Sequence, residues 1–523
     1  MHVALVGPDQ QENLALQYLA AACERAGHRA SLVRFNVPSD LPSTVDAVLR
    51  EAPDAVGFGM AFQYSIGDYL ELARALRERG YRGHVTCGGH VPTFCFESLL
   101  AECDALDSVV RHEGESTLVE MLDRMAAGRP VCDIDGLVWR QGERVVQGPR
   151  RAPVADLDTL PWPVRRPAPM TVGGIPIAFL LASRGCVGDC AYCSIRAFSR
   201  DAGGPGLRLR APHQVAREIA ALMRDKHVRV FFVQDDLFVL PSERATLDRM
   251  AKLQEAIERE RVGRPLLWIK GRPESITPAV LGAARSLGAI HMFLGVESAS
   301  APRLRYLGRA HGPADNLRAI ALCREHRVMP SFNFMLFDPD CTLDDVAATL
   351  ELAEANLDLP WNVCRTEVYP GTQLMERLAG QGRLLGGYRS YGYTMSDARA
   401  ELMFRVLRVS LHERAFAFDS LLNKLISLSF SAQVHGALFD RAETRALGDQ
   451  VSALVVDAHR DTLETLRETL AFARSCDPSD ATSVTDYAID CALAIGRRDL
   501  DRYRRFASLW HALDRRGRSL LGS

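Results

Sequence analysis

Three cysteines, Cys186, Cys190 and Cys193, fall in the stretch SRGCVGDCAYCSIRAF of a 523-residue chain. Three is an awkward count. Disulfides use cysteines in pairs, and a structural zinc takes four ligands, usually from two short clips. No second clip of closely spaced cysteines exists in the sequence. A nucleophilic thiol would need one cysteine beside a base, leaving two unexplained. Three soft, anionic thiolates could instead hold three corners of a [4Fe–4S] cube, with the fourth iron open to a small-molecule ligand. The glycine-rich, short spacing would let one loop wrap such a cube with its backbone N–H groups facing the sulfides.

The elements that must position this loop alternate between strand and helix. Residues 2–7, 30–35, 54–60, 83–89 and 108–115 read as strands, with a helix at 66–79 and another beginning near 116. Units of about 30 residues predict a doubly wound parallel sheet of flavodoxin-like or Rossmann-like economy. Ligands bind such sheets outside the carboxyl ends of the strands. Those ends carry Pro8, Asp9 and Gln10, then Phe62 and Gln63, then Gly88, Gly89 and His90, and finally Glu113 and Gly114. Glycine at several tips would let the backbone approach something large. Residues 135–150 read as a β-hairpin and 157–170, with four prolines, as an extended linker.

Alternation resumes with strands expected at 177–183, 228–235, 266–271, 290–297, 330–337 and 362–368. The helices between them are expected at 213–226, 242–260, 277–287, 313–326 and 342–356. Six β/α units predict a partial TIM-type barrel with its chemistry at the strand carboxyl ends, and the cysteine loop follows its first strand. Beyond 395 the pattern is helical, near 396–431, 437–475 and 481–515. The expected domains are 1–134, a connecting hairpin and linker at 135–172, the barrel at 173–394 and a helical region at 395–523.

Net charge is −2, so no global field draws the chain to nucleic acid or to an anionic membrane. No run of 18 apolar residues occurs, and the amino terminus lacks a basic segment followed by a long apolar one. A cytoplasmic chain is expected, its thirteen cysteines thiols or metal ligands.

The C-x3-C-x2-C spacing, with Tyr192 before the last cysteine and the loop following the first barrel strand, resembles the radical S-adenosylmethionine (SAM) enzymes. In that family the open iron chelates SAM, whose reductive cleavage yields a radical that abstracts hydrogen from substrate. FFVQDDLF (231–238) resembles the second-strand motif, and LGVESAS (294–300) the fourth. The resemblance implies SAM contacts from Tyr192, Asp235, Arg272, Glu297 and Ser298. YPGTQL (369–374) is similar to a late-barrel signature, whereas MLFDPDCTLDD departs from the glycine-rich turn common after the fifth strand.

The layout of an N-terminal sheet, then LDTLPWP, then SRGC resembles the cobalamin-dependent radical SAM enzymes, as do CGGHVPT and HEGESTLVEML. It implies that the strand-tip residues above hold cobalamin. The Asp-x-His-x-x-Gly motif that supplies a lower histidine ligand in other cobalamin domains is replaced by PDQQEN. The implied function is methylation of an unactivated carbon of a small metabolite in natural-product biosynthesis, with an external flavodoxin-type or ferredoxin-type reductant. A cyclisation or rearrangement with the same cofactors, and a non-catalytic cobalamin or Fe–S sensor, are the alternatives. Catalytic side chains and the substrate are not legible.

Overall fold

The computed structural model describes residues 1–142, 144–166, 168–439 and 441–521. Glu143 of the expected hairpin, Pro167 of the proline-rich stretch, Asp440 of the second expected C-terminal helix, and Gly522 and Ser523 lie outside them. The chain divides into two compact units. The first comprises residues 1–168, 183–211 and 367–393, and the second comprises 169–182, 212–366 and 394–523.

The first unit is built on a seven-stranded sheet of β1 (His2–Gly7), β2 (Arg29–Arg34), β3 (Ala55–Gly59), β4 (His84–Gly88), β5 (Ser108–Val110), β6 (Leu137–Gln141) and β7 (Arg144–Gln147), ordered β2-β1-β3-β4-β5-β6-β7. The first five are parallel. Val3 to Val6 are wholly buried, as a strand covered on both faces must be. The hairpin strands continue this sheet, β6 antiparallel to β5 and β7 antiparallel to β6. β5 ends five residues earlier than its apolar pattern suggests, because His112 adopts φ +61° and a helix starts at Glu115.

The second unit holds β8 (Met170–Val172) and β9 (Ile175–Leu180). Two short strands of the first unit follow, β10 (Ser183–Gly185) and β11 (Leu207–Leu209), paired antiparallel around the cysteine loop. The second unit then continues with β12 (Val230–Val233), β13 (Leu266–Gly271), β14 (Ala289–Glu297), β15 (Met329–Phe337) and β16 (Trp361–Arg365). Its order, β16-β15-β14-β13-β12-β9-β8, is a half-barrel of six parallel strands with β8 antiparallel at one edge. The intervening helices start where the sequence places good caps. Ser242, Thr277 and Thr342 each accept a hydrogen bond from a first-turn N–H, and Pro278 and Pro313 occupy first-turn positions.

The C-terminal region is helical at Ala398–Ser410, Leu421–Leu438, Ala442–Ser475 and Ala481–Leu521. The single helix expected over 396–431 is broken by a π-turn at His412–Phe416, and Ser420 caps a fresh start. Trp361 of β16 is fully buried, stacks on His459 at 4.0 Å between centroids, and donates its indole N–H to the Asn356 carbonyl at 3.1 Å. We expect Trp361→Ala to destabilise the chain by about 3–5 kcal/mol in urea titration. A loss below about 1 kcal/mol would show that the surroundings collapse into the space.

Candidate active site

The cysteine loop is held at both ends by the strand tips of the first sheet. Arg184, two residues before Cys186, meets Glu115 at 2.7 Å and Glu113 at 3.3 Å. Arg208 of β11 adds a fork onto Glu113, at 2.8 and 2.9 Å, and the Val154 N–H donates to the same carboxylate at 2.8 Å. Burial alone would raise the Glu113 pKa, but the hydrogen bond from Arg208 and the charges of both arginines outweigh it and hold the carboxyl below its usual range. Burial likewise opposes the Arg184 charge, and Glu115 and Glu113 more than offset it.

At the far end, the helix Ser194–Asp201 carries Asp201, which accepts from Arg111 at 2.7 Å and lies 2.8 Å from the His112 Nε2. Phe198 on this helix stacks against His90, with centroids 4.4 Å apart. Burial depresses the His90 pKa to about 4, so the ring is neutral at pH 7. The segment containing YPGTQL also meets the loop: the Leu374 N–H donates to the Ala191 carbonyl at 2.8 Å, and Gly371 (φ +74°) sits against Phe94 where a Cβ would collide.

All three loop cysteines are half-buried, and none forms a disulfide among the described residues. The Cys186 sulfur accepts from the Gly188 N–H at 3.2 Å, and the Cys193 N–H donates to the Cys190 carbonyl at 3.1 Å. Tyr192 is half-buried between Ala191 and Cys193. A cavity of about 360 Å³ is lined by Cys190 and Cys193 together with Phe94, Arg196, Gly371 and Glu376. Among the described residues no three His, Cys, Asp or Glu side chains converge on a single metal ion. Three soft thiolates carried on one short loop are a donor set that fits a cluster presenting a separate iron to each.

The strand tips expected to hold cobalamin divide into two groups. Pro8, Gln10 and Phe62 are exposed, with Phe62 stacked on exposed Tyr64 at 5.5 Å. Gly88 and Gly89 are half-buried, and Gly89 (φ +118°) lies so close to the Met60 carbonyl that a Cβ would come within 2.6 Å. Gly114 leads directly into the helix at Glu115. These accessible tips fit a large planar ligand. In three other residues the polar side-chain atoms are engaged by protein. Asp9 pairs with Asn36 at 2.8 Å and Arg166 at 3.0 Å. Gln63 bridges the Val368 carbonyl at 3.1 Å and the Tyr391 N–H at 3.3 Å. Glu113 clamps the cysteine loop. Its neighbours Arg184, Arg208, Arg111 and Asp201 escaped the sequence reading, since nothing local pairs HEGE with arginines 69 to 95 residues away.

In the second unit, Asp235, Arg272 and Glu297 lie at the carboxyl ends of the neighbouring strands β12, β13 and β14. Asp235 is fully buried and accepts from the Ala182 N–H at 2.6 Å and from Arg249 at 3.0 Å, so it braces the end of β9. Ser298 likewise holds the loop, through Thr349 at 3.2 Å and the Ser300 N–H at 3.0 Å. Arg272 is oriented by Glu274 at 2.6 Å. Glu297 adopts φ +62°, a strained conformation for a side-chain-bearing residue, with Arg309 at 3.6 Å. The departing MLFDPDCTLDD turn is a buried ionic lock, with Asp338 accepting from Arg303 at 3.1 Å and from the Asp340 N–H at 2.9 Å.

Glu113→Ala leaves two partly buried arginines without their shared carboxylate, at a cost of about 3–5 kcal/mol. The iron-loaded variant should release iron to a chelator faster than wild type, and equal rates would show that the clamp does not hold the loop. Because the folded-state pKa of Glu113 is depressed, its contribution is present above the ordinary carboxylate value of about 4 and lost as pH falls through the lower folded value. Acid release of iron should therefore begin below about pH 4 in wild type, and Glu113→Gln should flatten that dependence. The triple variant Cys186→Ala, Cys190→Ala, Cys193→Ala should bind no iron yet retain cobalamin, read from its absorption spectrum.

Two family models match the chain: a B12 binding domain over residues 3–122 and the radical SAM superfamily over 180–353. An uncharacterized methyltransferase of Pyrococcus horikoshii is 27% identical over 379 residues, covering 71% of this chain and 79% of its own. The hopanoid C-3 methylase of Methylococcus capsulatus is 26% identical over 377 residues, 69% of this chain and 68% of its own. An anaerobic magnesium-protoporphyrin IX monomethyl ester cyclase of Rubrivivax gelatinosus is 26% identical over 341 residues, 61% of this chain and 58% of its own. Among solved structures, the cobalamin-dependent SAM radical enzyme OxsB with aqua-cobalamin and SAM bound aligns with TM-score 0.67 at 15% identity, covering 99% of this chain and 83% of its own. The radical SAM methyltransferase TsrM from Kitasatospora setae, with tryptophan substrate and a SAM analogue bound, aligns with TM-score 0.60 at 19% identity over 73% of this chain and 76% of its own. These likenesses establish the fold. Since a cobalamin module precedes a radical SAM module that carries the three-cysteine loop, cobalamin, a [4Fe–4S] cluster and SAM are the cofactors, and the chain belongs to the cobalamin-dependent radical SAM enzymes.

Proposed function

We propose that this enzyme methylates an unactivated carbon of a small organic metabolite, in the manner of natural-product biosynthesis. The observation that carries the reading is the clamp within the first unit. The tip that bears Gly114 also grips the cysteine loop through Glu113 and Glu115, so one rigid connection serves the residues of both cofactors. Such a connection suits a reaction that draws on both cofactors at one substrate, where fixed geometry replaces a chance encounter. When bound, cluster and SAM supply a hydrogen-abstracting radical, and cobalamin supplies a transferable methyl group.

The chain's own residues have positioning roles. Cys186, Cys190 and Cys193 hold the cluster, and Glu113 and Asp201 fix the loop at its two ends. Arg272, oriented by Glu274, is placed to meet a carboxylate of SAM, and Glu297 to accept from ribose hydroxyls. Asp235 and Ser298 keep the strand ends in register. Exposed Phe62 and the Gly88-Gly89 turn offer an apolar, close-approach surface to the corrin. Among the described residues no helix is long and apolar enough to cross a membrane. We propose a cytoplasmic enzyme supplied with electrons by a flavodoxin-type or ferredoxin-type protein.

Methyltransferase relatives support the methyl-transfer reading, and the cyclase relatives favour a second one, ring closure with the same cofactors. Anaerobic turnover with methyl-labelled SAM separates them. Methylation gives a product one labelled methyl heavier, with 5′-deoxyadenosine and S-adenosylhomocysteine both formed. An unlabelled product poorer in hydrogen would overturn methylation in favour of ring closure.

A further inference from the structure

The arginines around the cysteine loop are matched with acids, save one. Arg184 and Arg208 face Glu113, Arg200 faces Asp189 at 2.8 Å, and Arg150 faces Asp201 at 3.3 Å. Arg196 forms no ion pair among the described residues, and its Nε is buried without a hydrogen-bond acceptor. A buried guanidinium N–H left unmatched carries a desolvation cost.

Its position adds to that cost. Arg196 is the third residue of the helix Ser194–Asp201, whose N-cap is Cys193 and whose first turn holds no acid. A cation there opposes the helix dipole. The side chain is nonetheless directed into the loop. Its Nη1 lies where a Cβ on Gly206 would fall, and that same Cβ would be 3.2 Å from the Cys186 carbonyl. On the other side, Arg196 lines the cavity shared with Cys190 and Cys193. The unmatched cation thus lies near the backbone at Gly206 and Cys186 and lines the cavity that Cys190 and Cys193 also line.

An anion within the loop would resolve every one of these costs. A [4Fe–4S] core in its oxidised state, ligated by three thiolates, carries one negative charge, and one-electron reduction adds a second. We infer that Arg196 is the counter-cation of the cluster, donating its N–H groups to cysteinyl or inorganic sulfur and raising the reduction potential. A fixed positive charge stabilises the more negative reduced state more than the oxidised one, and N–H donation to sulfur acts in the same direction. Arg196 is a positioning and tuning residue here, acting through the cluster on a step whose electron comes from the external reductant.

The inference rests on the cluster assignment, and the experiment keeps the two apart. Full-length wild type, Arg196→Gln, Arg196→Lys and Gly206→Ala are loaded anaerobically with iron and sulfide, assayed for iron, and titrated redox-wise with EPR detection of the reduced cluster. At the potential where wild type is half-reduced, Arg196→Gln should show a reduced-to-oxidised ratio lower by about tenfold, with Arg196→Lys recovering most of it. Gly206→Ala keeps the charge but displaces the guanidinium, and should shift in the same direction as Arg196→Gln. It decides the matter if Arg196→Gln fails to hold iron. Unchanged midpoints in iron-replete Arg196→Gln or Gly206→Ala would overturn the role of Arg196. Failure of wild type to assemble a four-iron cluster would overturn the cluster assignment itself.

Discussion

One carboxylate, that of Glu113, is shared by Arg184 and Arg208, and the geometry of the cysteine loop depends on it. The loop has little to stabilise it locally. Its two flanking strands are three residues each, and its helix is eight residues, too short to persist alone. Three half-buried charges forming bidentate contacts tolerate few alternative arrangements, because each alternative strands a charge in a region of low dielectric. With Asp201 fastened to Arg111 and His112 at the other end, the loop is fixed at two points on the sheet that follows the cobalamin pattern.

Backbone strain gathers at the same strand ends. Gly89, His112 and Glu297 all have positive φ at the tips of β4, β5 and β14. Only the first is a glycine, so the other two carry a cost of about 1–3 kcal/mol each that the surrounding contacts must hold in place. His112 is held by Asp201 and by the Thr93 hydroxyl at 2.9 Å, and Glu297 lies beside Arg309, which also donates to the Gly295 carbonyl at 2.7 Å. Around them Asp235, Ser298 and Asp338 work as internal braces. Polar residues at these strand ends thus keep the tips in place.

Much of the scaffold was legible in the chain because its strands are continuous apolar runs and its helices begin at Ser, Thr or Pro caps. The misplacements have local causes. The pattern of β5 runs on through Val110 into Arg111 and His112, whose turn is set by Asp201 about 90 residues away. The helix expected over 396–431 contains no proline or glycine to mark its interruption, and the π-turn at His412–Phe416 is invisible to a 3.6-residue period. Asp9, Gln63, Asp235 and Ser298 stand at the right strand ends. Their partners Arg166, Tyr391, Arg249 and Thr349 are 14 to 328 residues distant in sequence, so their engagement could not be read.

Residue type and spacing pointed to a cluster with one open iron, and the motifs' resemblance to cobalamin-dependent radical SAM enzymes added SAM and cobalamin. Three soft donors in C-x3-C-x2-C order with no fourth suit a cluster that leaves one iron open, because ligand number is a property of the donors. Alternating β/α units likewise determined two sheets with their chemistry at the carboxyl ends. Tertiary structure decided which polar residues at those ends remain available. A carboxylate's role depends on whether a distant arginine reaches it, and burial makes that pairing energetically compulsory. Glu113 therefore became a clamp, Asp235 a brace, and Arg196 the cation left facing the loop.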